Sequence, residues 1–230
     1  MISNLRVAAL AVVLAFSTLT PSVWAAQNFS LDSTKGLQPH DVTVEAATYQ
    51  GRKAVKVIPA PVPAAKTDEG GGIAVLSGPE FHNGTIEVDV AGKPGAGAPA
   101  EARGFVGVAF RVAADASKYE CFYIRPTNGR ADDQLRRNHS TQYISFPDYQ
   151  WPRLRAETPG QYESYVDLVP GEWTHIKVEV SGVKARLYVN GSSQPALIVN
   201  DLKLGDGKGG VALWIGVGTE AYFSNIRVSE

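Results

Sequence analysis

From Ala26 to Glu230 apolar and polar residues alternate with a period of two, and helical spacing is hard to find. Asp41–Glu45 and Ala54–Ile58 flank the Gln50-Gly51 turn and predict a hairpin. Ile73–Leu76 follows a glycine-rich loop, and Gly84–Val90 alternates cleanly after the Asn83-Gly84 turn signal. Further strands are predicted over Gly104–Val112, Tyr119–Arg125, Thr174–Val180, Lys184–Val189, Gly210–Ile215 and Ala221–Val228. Short strands with turn signals every eight to twelve residues or so predict an all-β fold, a single antiparallel β-sandwich. The Pro/Gly/Ala-rich spans Pro59–Gly72 and Gly92–Arg103 read as inter-strand loops, since neither side is large enough to fold alone.

Parity assigns the faces. Val106, Val108, Phe110 and Val112 share one apolar face, whereas Gly107, Ala109 and Arg111 share the other. In the next strand Phe122 and Ile124 point one way and Tyr119, Cys121, Tyr123 and Arg125 the other. Small residues beside tyrosines and arginines predict an open groove on that sheet face, with Gly107 and Ala109 leaving room for a ligand. Trp214 has the parity opposite Val211, Leu213 and Ile215 and is expected to line the same groove.

Between strands, about 35 residues around Thr127–Gln161 carry many arginines and aromatics, and an insertion of this kind is expected to form a lid or site wall. Tyr143, Tyr149 and Trp151 are candidates for a stacking platform; Arg153, Arg155, Asn138 and Tyr165 add donors. Aromatic faces and forked guanidinium groups suit a sugar, whose apolar ring faces are rimmed by hydroxyls.

Phe81–Val90, Gly171–Val178 (with Gly171-Glu172-Trp173), Arg186–Gly191 and Tyr222–Val228 together resemble the concanavalin A-like lectin/glucanase superfamily. The nearest flavours are the laminin-G-like domains and the 3-keto-disaccharide hydrolase family, and the resemblance spans roughly Phe29 to Val228. It implies a jelly roll of two antiparallel sheets whose concave face binds or cleaves carbohydrate. These motifs are turn-and-strand signatures, specific for fold rather than activity.

Three chemistries are open. A retaining glycosidase needs two carboxylates about 5 Å apart, but Glu87-Val-Asp89 begins the glucanase pattern only to reach Gly92, and Glu163 and Asp167 stand roughly 13 Å apart along a strand. Eliminative cleavage of a uronate polysaccharide needs a cation or amide, a base and a proton donor; Arg125, Asn138, His139, Tyr123 and Tyr165 supply those types without matching the known lyase motifs. The 3-keto-disaccharide hydrolase resemblance implies a one-base route, with His139 or Glu163 as the base. Hydrolysis is the favoured expectation, a non-catalytic lectin-like module the alternative, and a lyase the second alternative.

The amino terminus reads as an export signal: Arg6, an apolar run Val7–Phe16 too short to span a bilayer, then Val23-Trp24-Ala25, with cleavage expected after Ala25. A periplasmic or secreted protein is therefore expected, with residues 26–230 as one domain. Without Arg6 the balance is 21 basic against 23 acidic residues, a net charge of −2, which offers no basis for a nucleic-acid or membrane partner and leaves carbohydrate as the expected one. Cys121 is the only cysteine, so no intramolecular disulfide forms. No cofactor is predicted; a structural Ca²⁺ of the kind the superfamily often holds is not indicated, Asp201 and Asp206 being the only candidates.

Overall fold

The computed structural model describes residues 26–61 and 71–230. The expected export signal lies outside the described residues. Among those residues no helix is long and apolar enough to cross a membrane.

Two antiparallel sheets pack face to face. The first contains β1 (Gln27–Phe29), β3 (Val42–Tyr49), β4 (Arg52–Pro59), β6 (Gly84–Pro94), β11 (Thr174–Ser181), β12 (Lys184–Val189), β13 (Leu197–Val199) and β15 (Thr219–Ser229). The second contains β2 (Leu37–His40), β5 (Gly72–Leu76), β7 (Val106–Val112), β8 (Tyr119–Ile124), β9 (Thr141–Phe146), β10 (Glu163–Ser164) and β14 (Gly210–Ile215). Their orders are β13-β12-β11-β6-β15-β4-β3, with β1 also on β15, and β10-β9-β8-β7-β14-β5-β2. Sequence neighbours such as β6 and β7 lie in different layers, so the chain crosses repeatedly between sheets. The expected β-sandwich is the observed fold.

The core follows from the alternation. Ile86, Val88 and Val90 of β6 register against Val178, Ile176 and Thr174 of β11, and all are buried. Opposite them stand Val106, Val108 and Phe110 of β7, paired with Ile124, Phe122 and Glu120 of β8 and with Ile215, Leu213 and Val211 of β14. Burying each large apolar side chain stabilises the fold by roughly 1.5–3 kcal/mol. Half-exposed ion pairs such as Lys56–Glu45 and Lys93–Glu220 on the first sheet contribute about 0–1 kcal/mol each, so the interlayer core holds the sandwich together.

The segment read as a 35-residue loop is more ordered than that. It contains β9, whose Thr-Gln-Tyr-Ile-Ser-Phe sequence has strand chemistry, and two short helices, α1 (Gln134–Asn138) and α2 (Trp151–Glu157). The Asp133 carboxylate caps α1 by accepting from the Arg136 amide at 3.0 Å. Helix α2 starts with Pro152 in its first turn and is pinned by Leu154, its one buried residue.

Parity fails at Arg111. Its φ of +52° and a register shift between Gly210 and Val211 mark a β-bulge, which turns the side chain away from the Gly107/Ala109 face. The guanidinium instead donates to the carbonyls of His82 (2.9 Å), Gly182 (2.8 Å) and Gly205, tying three loops together. Arg111 is thus a structural clamp and not part of a sugar-binding face.

The predicted groove is also occupied from within. Tyr123, Gly107 and Trp214 stand in register on three neighbouring strands, and the two rings stack across the glycine with centroids 4.5 Å apart. Tyr119 stacks on Phe146 at 4.9 Å, and the Trp214 indole N–H donates to the Tyr119 hydroxyl at 3.3 Å. The space left by Gly107 is filled by these rings, and Tyr119, Tyr123 and Trp214 are all buried. Tyr143 registers with Phe122 and points into the interlayer core, where its hydroxyl donates to Glu120 at 2.7 Å; it belongs to no stacking platform. Cys121 is buried as well, and burial pushes its thiol well up.

Candidate functional site

The end of the second sheet where β7 begins, β8 finishes and β9 starts forms a cleft of about 460 Å³. One wall is the approach to β7 (Glu101, Arg103, Phe105); the floor includes Arg125 and Asn128; α1 and its flanks supply Asp133, Leu135, Arg136 and His139; and α2 supplies Trp151 and Arg155.

A buried charge organises it. β10 pairs with β9 so that Glu163 lies opposite Gln142, on the outer face beside Tyr123. The carboxylate is held bidentately by Arg155, with Nε to Oε1 at 3.0 Å and Nη2 to Oε2 at 2.7 Å. Arg125 Nη1 lies 3.6 Å from Oε2, and His139 Nε2 lies 3.2 Å from Oε1. Both oxygens are therefore taken up by cationic or ring partners. Arg125 also donates to the Tyr123 hydroxyl (3.1 Å), to Gln142 Oε1 (2.9 Å) and to the His139 carbonyl (3.0 Å). Asn128 donates to the same carbonyl at 3.1 Å, so the backbone of His139 is fixed twice and its ring borders both the cleft and Glu163.

Burial holds the His139 imidazolium pKa below the ordinary histidine value; the Glu163 charge opposes that, and Arg155 and Arg125 reinforce it. The ring is accordingly biased toward its neutral form. Among the described residues Nδ1 has no hydrogen-bond partner.

Two further arginines border the cleft. Arg136 donates to Asn128 Oδ1 at 2.9 Å and to Thr127 Oγ1 at 3.2 Å, and Arg103 to the carbonyls of Ala100 and Ala102. All these acceptors are neutral. The apolar surface comes from Phe105, which lies under Arg125, and from Trp151, which is 42% exposed with Arg155 over its ring at 4.7 Å.

Of the residues singled out from sequence, Arg125, His139, Arg155, Glu163 and Trp151 come together here, with Tyr123 beneath. Asn138 is exposed on α1 and accepts from Gln134, and Tyr165 accepts from Arg137 at 3.1 Å outside the cleft. Tyr149 and Arg153 are engaged with each other, the guanidinium 4.1 Å above the ring and bonded to Glu157. Sequence reasoning missed Arg103, Phe105 and Asn128. The cue available was Arg103-Gly104-Phe105, a cation and an aromatic at the start of a strand. Asp206 is engaged by His82 and Asp201 by Tyr162 and Lys203; among the described residues no group of three or more His, Cys, Asp or Glu is placed to hold a metal ion.

No family model and no curated protein sequence matches the chain. Solved structures do. A carbohydrate-binding module, CBM66, from Bacillus subtilis is 15% identical with a TM-score of 0.55, over 84% of this chain and 94% of its own. A Bacillus subtilis protein of galectin-like fold is 12% identical with a TM-score of 0.57, over 90% and 97%. A glycosidic hydrolase is 12% identical with a TM-score of 0.50, over 91% and 98%. With the sheet order above, these likenesses show that the chain shares the two-sheet β-sandwich fold of a carbohydrate-binding module and of a galectin-like protein, the fold that the sequence resemblance implied.

Proposed function

We propose that this chain is an exported carbohydrate-active protein that binds a glycan in the cleft between α1, α2 and the start of β7 and cleaves it with His139 as its single base. The observation that carries this reading is the meeting of His139 and the buried Glu163, with the imidazole bordering the cleft and the carboxylate behind it. Glu163 has no free oxygen with which to attack a sugar or protonate a leaving group, so it acts as a positioning residue. Of the other cleft carboxylates, Asp133 is committed to capping α1 and Glu101 is exposed. A two-carboxylate displacement therefore lacks its second partner among the described residues.

One base suffices where a ring hydrogen is acidified by an adjoining carbonyl carbon, either a ketone or a carboxyl group. Glu163 favours the tautomer with its proton on Nε2, which leaves Nδ1 to take that hydrogen. The carbon–hydrogen electron pair becomes a carbon–carbon double bond, the glycosidic carbon–oxygen bond breaks, and the imidazolium returns the proton to the departing oxygen. Addition of water to the double bond then completes a net hydrolysis; without it the unsaturated sugar is the product. Support for carbohydrate as the ligand comes from the fold shared with a carbohydrate-binding module and a glycosidic hydrolase, together with the aromatic and guanidinium lining.

The test is a product assay on neutral glycans, uronate polysaccharides and 3-keto-glycosides, following reducing ends and ultraviolet-absorbing unsaturated products together. Turnover is expected on at least one class, falling about 10²–10⁴-fold in His139→Ala. Binding without turnover by the wild type would reduce the chain to a glycan-docking module.

A further inference from the structure

The four cleft arginines are unequally employed. Arg125 and Arg155 are spent on Glu163, whereas Arg103 and Arg136 make hydrogen bonds only to neutral oxygens. Neither of the latter pair is ion-paired among the described residues. They are also close enough to feel each other: burial lowers the Arg103 pKa, and the Arg136 charge lowers it further, with Glu101 in opposition and Arg125 adding to the effect. Asp133 shares the cleft, but its carboxylate is engaged at the end of α1. Two guanidinium groups without an ion-pair partner face one cavity, only partly offset by Glu101, and a ligand anion gains from both.

Building on the proposed carbohydrate site, we infer that the glycan is acidic and that a uronic acid carboxylate binds between Arg103 and Arg136, with its ring against the apolar surface of Phe105 and Trp151. A forked guanidinium matches a planar carboxylate through two parallel hydrogen bonds, a geometry no sugar hydroxyl reproduces. An aromatic surface receives the apolar ring face of the same residue. The cleft thus offers one partner for each part of a uronate unit. Held there, the carboxyl group supplies the acidified ring hydrogen that a lone base needs.

Calorimetric titration with matched tetrasaccharides tests the assignment. Galacturonate, mannuronate and glucuronate tetramers would each be compared with the carboxyl-reduced form, which keeps the linkage and loses the charge. At least one acidic tetramer is expected to bind about tenfold or more tighter than its reduced partner. That ratio is expected to shrink in high salt for the wild type and to fall to near unity in the Arg103→Gln/Arg136→Gln double variant. The salt series carries the test if the double variant does not fold. Equal or tighter binding of the reduced tetramers would overturn the acidic-glycan inference while leaving a carbohydrate site in place. An undiminished preference in the double variant would overturn the assignment to these arginines. Binding of neither form would remove the carbohydrate reading and this inference with it.

Discussion

At the scale of single residues, the centre of the site is a carboxylate that cannot itself react. Glu163 is surrounded by Arg155, Arg125 and His139, and its charge is the one influence in that group that raises the His139 pKa. Removing the charge has a signed consequence. In Glu163→Gln burial and the two arginines continue to push the imidazole pKa down with only the weaker Asp133 charge opposing them, so the acid limb of the kcat/KM profile moves to lower pH. The rate falls by between about 10- and 10⁴-fold, the upper figure being what neutralising the orienting carboxylate costs a Ser-His-Asp triad. A uniformly slower enzyme with an unmoved acid limb would mean that Glu163 only holds the fold. The types of these residues were legible in the sequence; their meeting was not. Glu163 reaches His139 only because β10 pairs with β9 and Arg155 comes back from α2, and no spacing along the chain encodes that.

At the scale of elements, alternation located most strands, and its failures have identifiable causes. One extra residue at Arg111 reversed the face of a side chain that parity had assigned to the groove, because a bulge leaves the hydrophobic pattern on either side intact. β9 went unread because its strand chemistry lies between two helices rich in arginine. Gly107 was noticed, but as room for a ligand. A glycine in mid-strand is equally a place where neighbouring rings close over the backbone, and Tyr123 and Trp214 do so. A methyl group there would run into the Phe122 carbonyl and the Tyr123 side chain. Gly107→Ala is therefore expected to cost about 1–3 kcal/mol in urea unfolding, as overpacked cores do, and to disturb the sheet under Arg125. A loss of less than about 0.5 kcal/mol would mean that the rings part readily.

At the scale of the molecule, the apolar interlayer contains one carboxyl group that the cleft does not use. Glu120 is wholly buried, accepts from the Tyr143 hydroxyl at 2.7 Å and the Leu204 amide at 2.8 Å, and has its pKa raised by burial. Raised in the folded state, it binds its proton more tightly there than in the unfolded chain. Its contribution is full below the ordinary glutamate range and is lost as pH rises through the elevated folded value. The penalty of Glu120→Gln, measured by urea unfolding at about pH 4 and about pH 8, should shrink at the higher pH. A penalty independent of pH would show that Glu120 titrates alike folded and unfolded.

The shortness of β10 has a further consequence. Two residues of ladder hold little of an edge segment by themselves, so the chain around Glu163 is fastened largely by side chains: the Glu163 carboxylate grips Arg155, Ser164 bonds Thr141 and the Ala196 carbonyl, and Tyr162 is buried. Local fraying there would strand two guanidinium groups, those of Arg155 and Arg125, without their anion. The opening cost is thus set more by side chains, in part electrostatically, than by the two-residue ladder. A weakly knitted margin of the sheet is thereby made one of its more reluctant places to open, and the exposed flank of β9 stays closed to other chains.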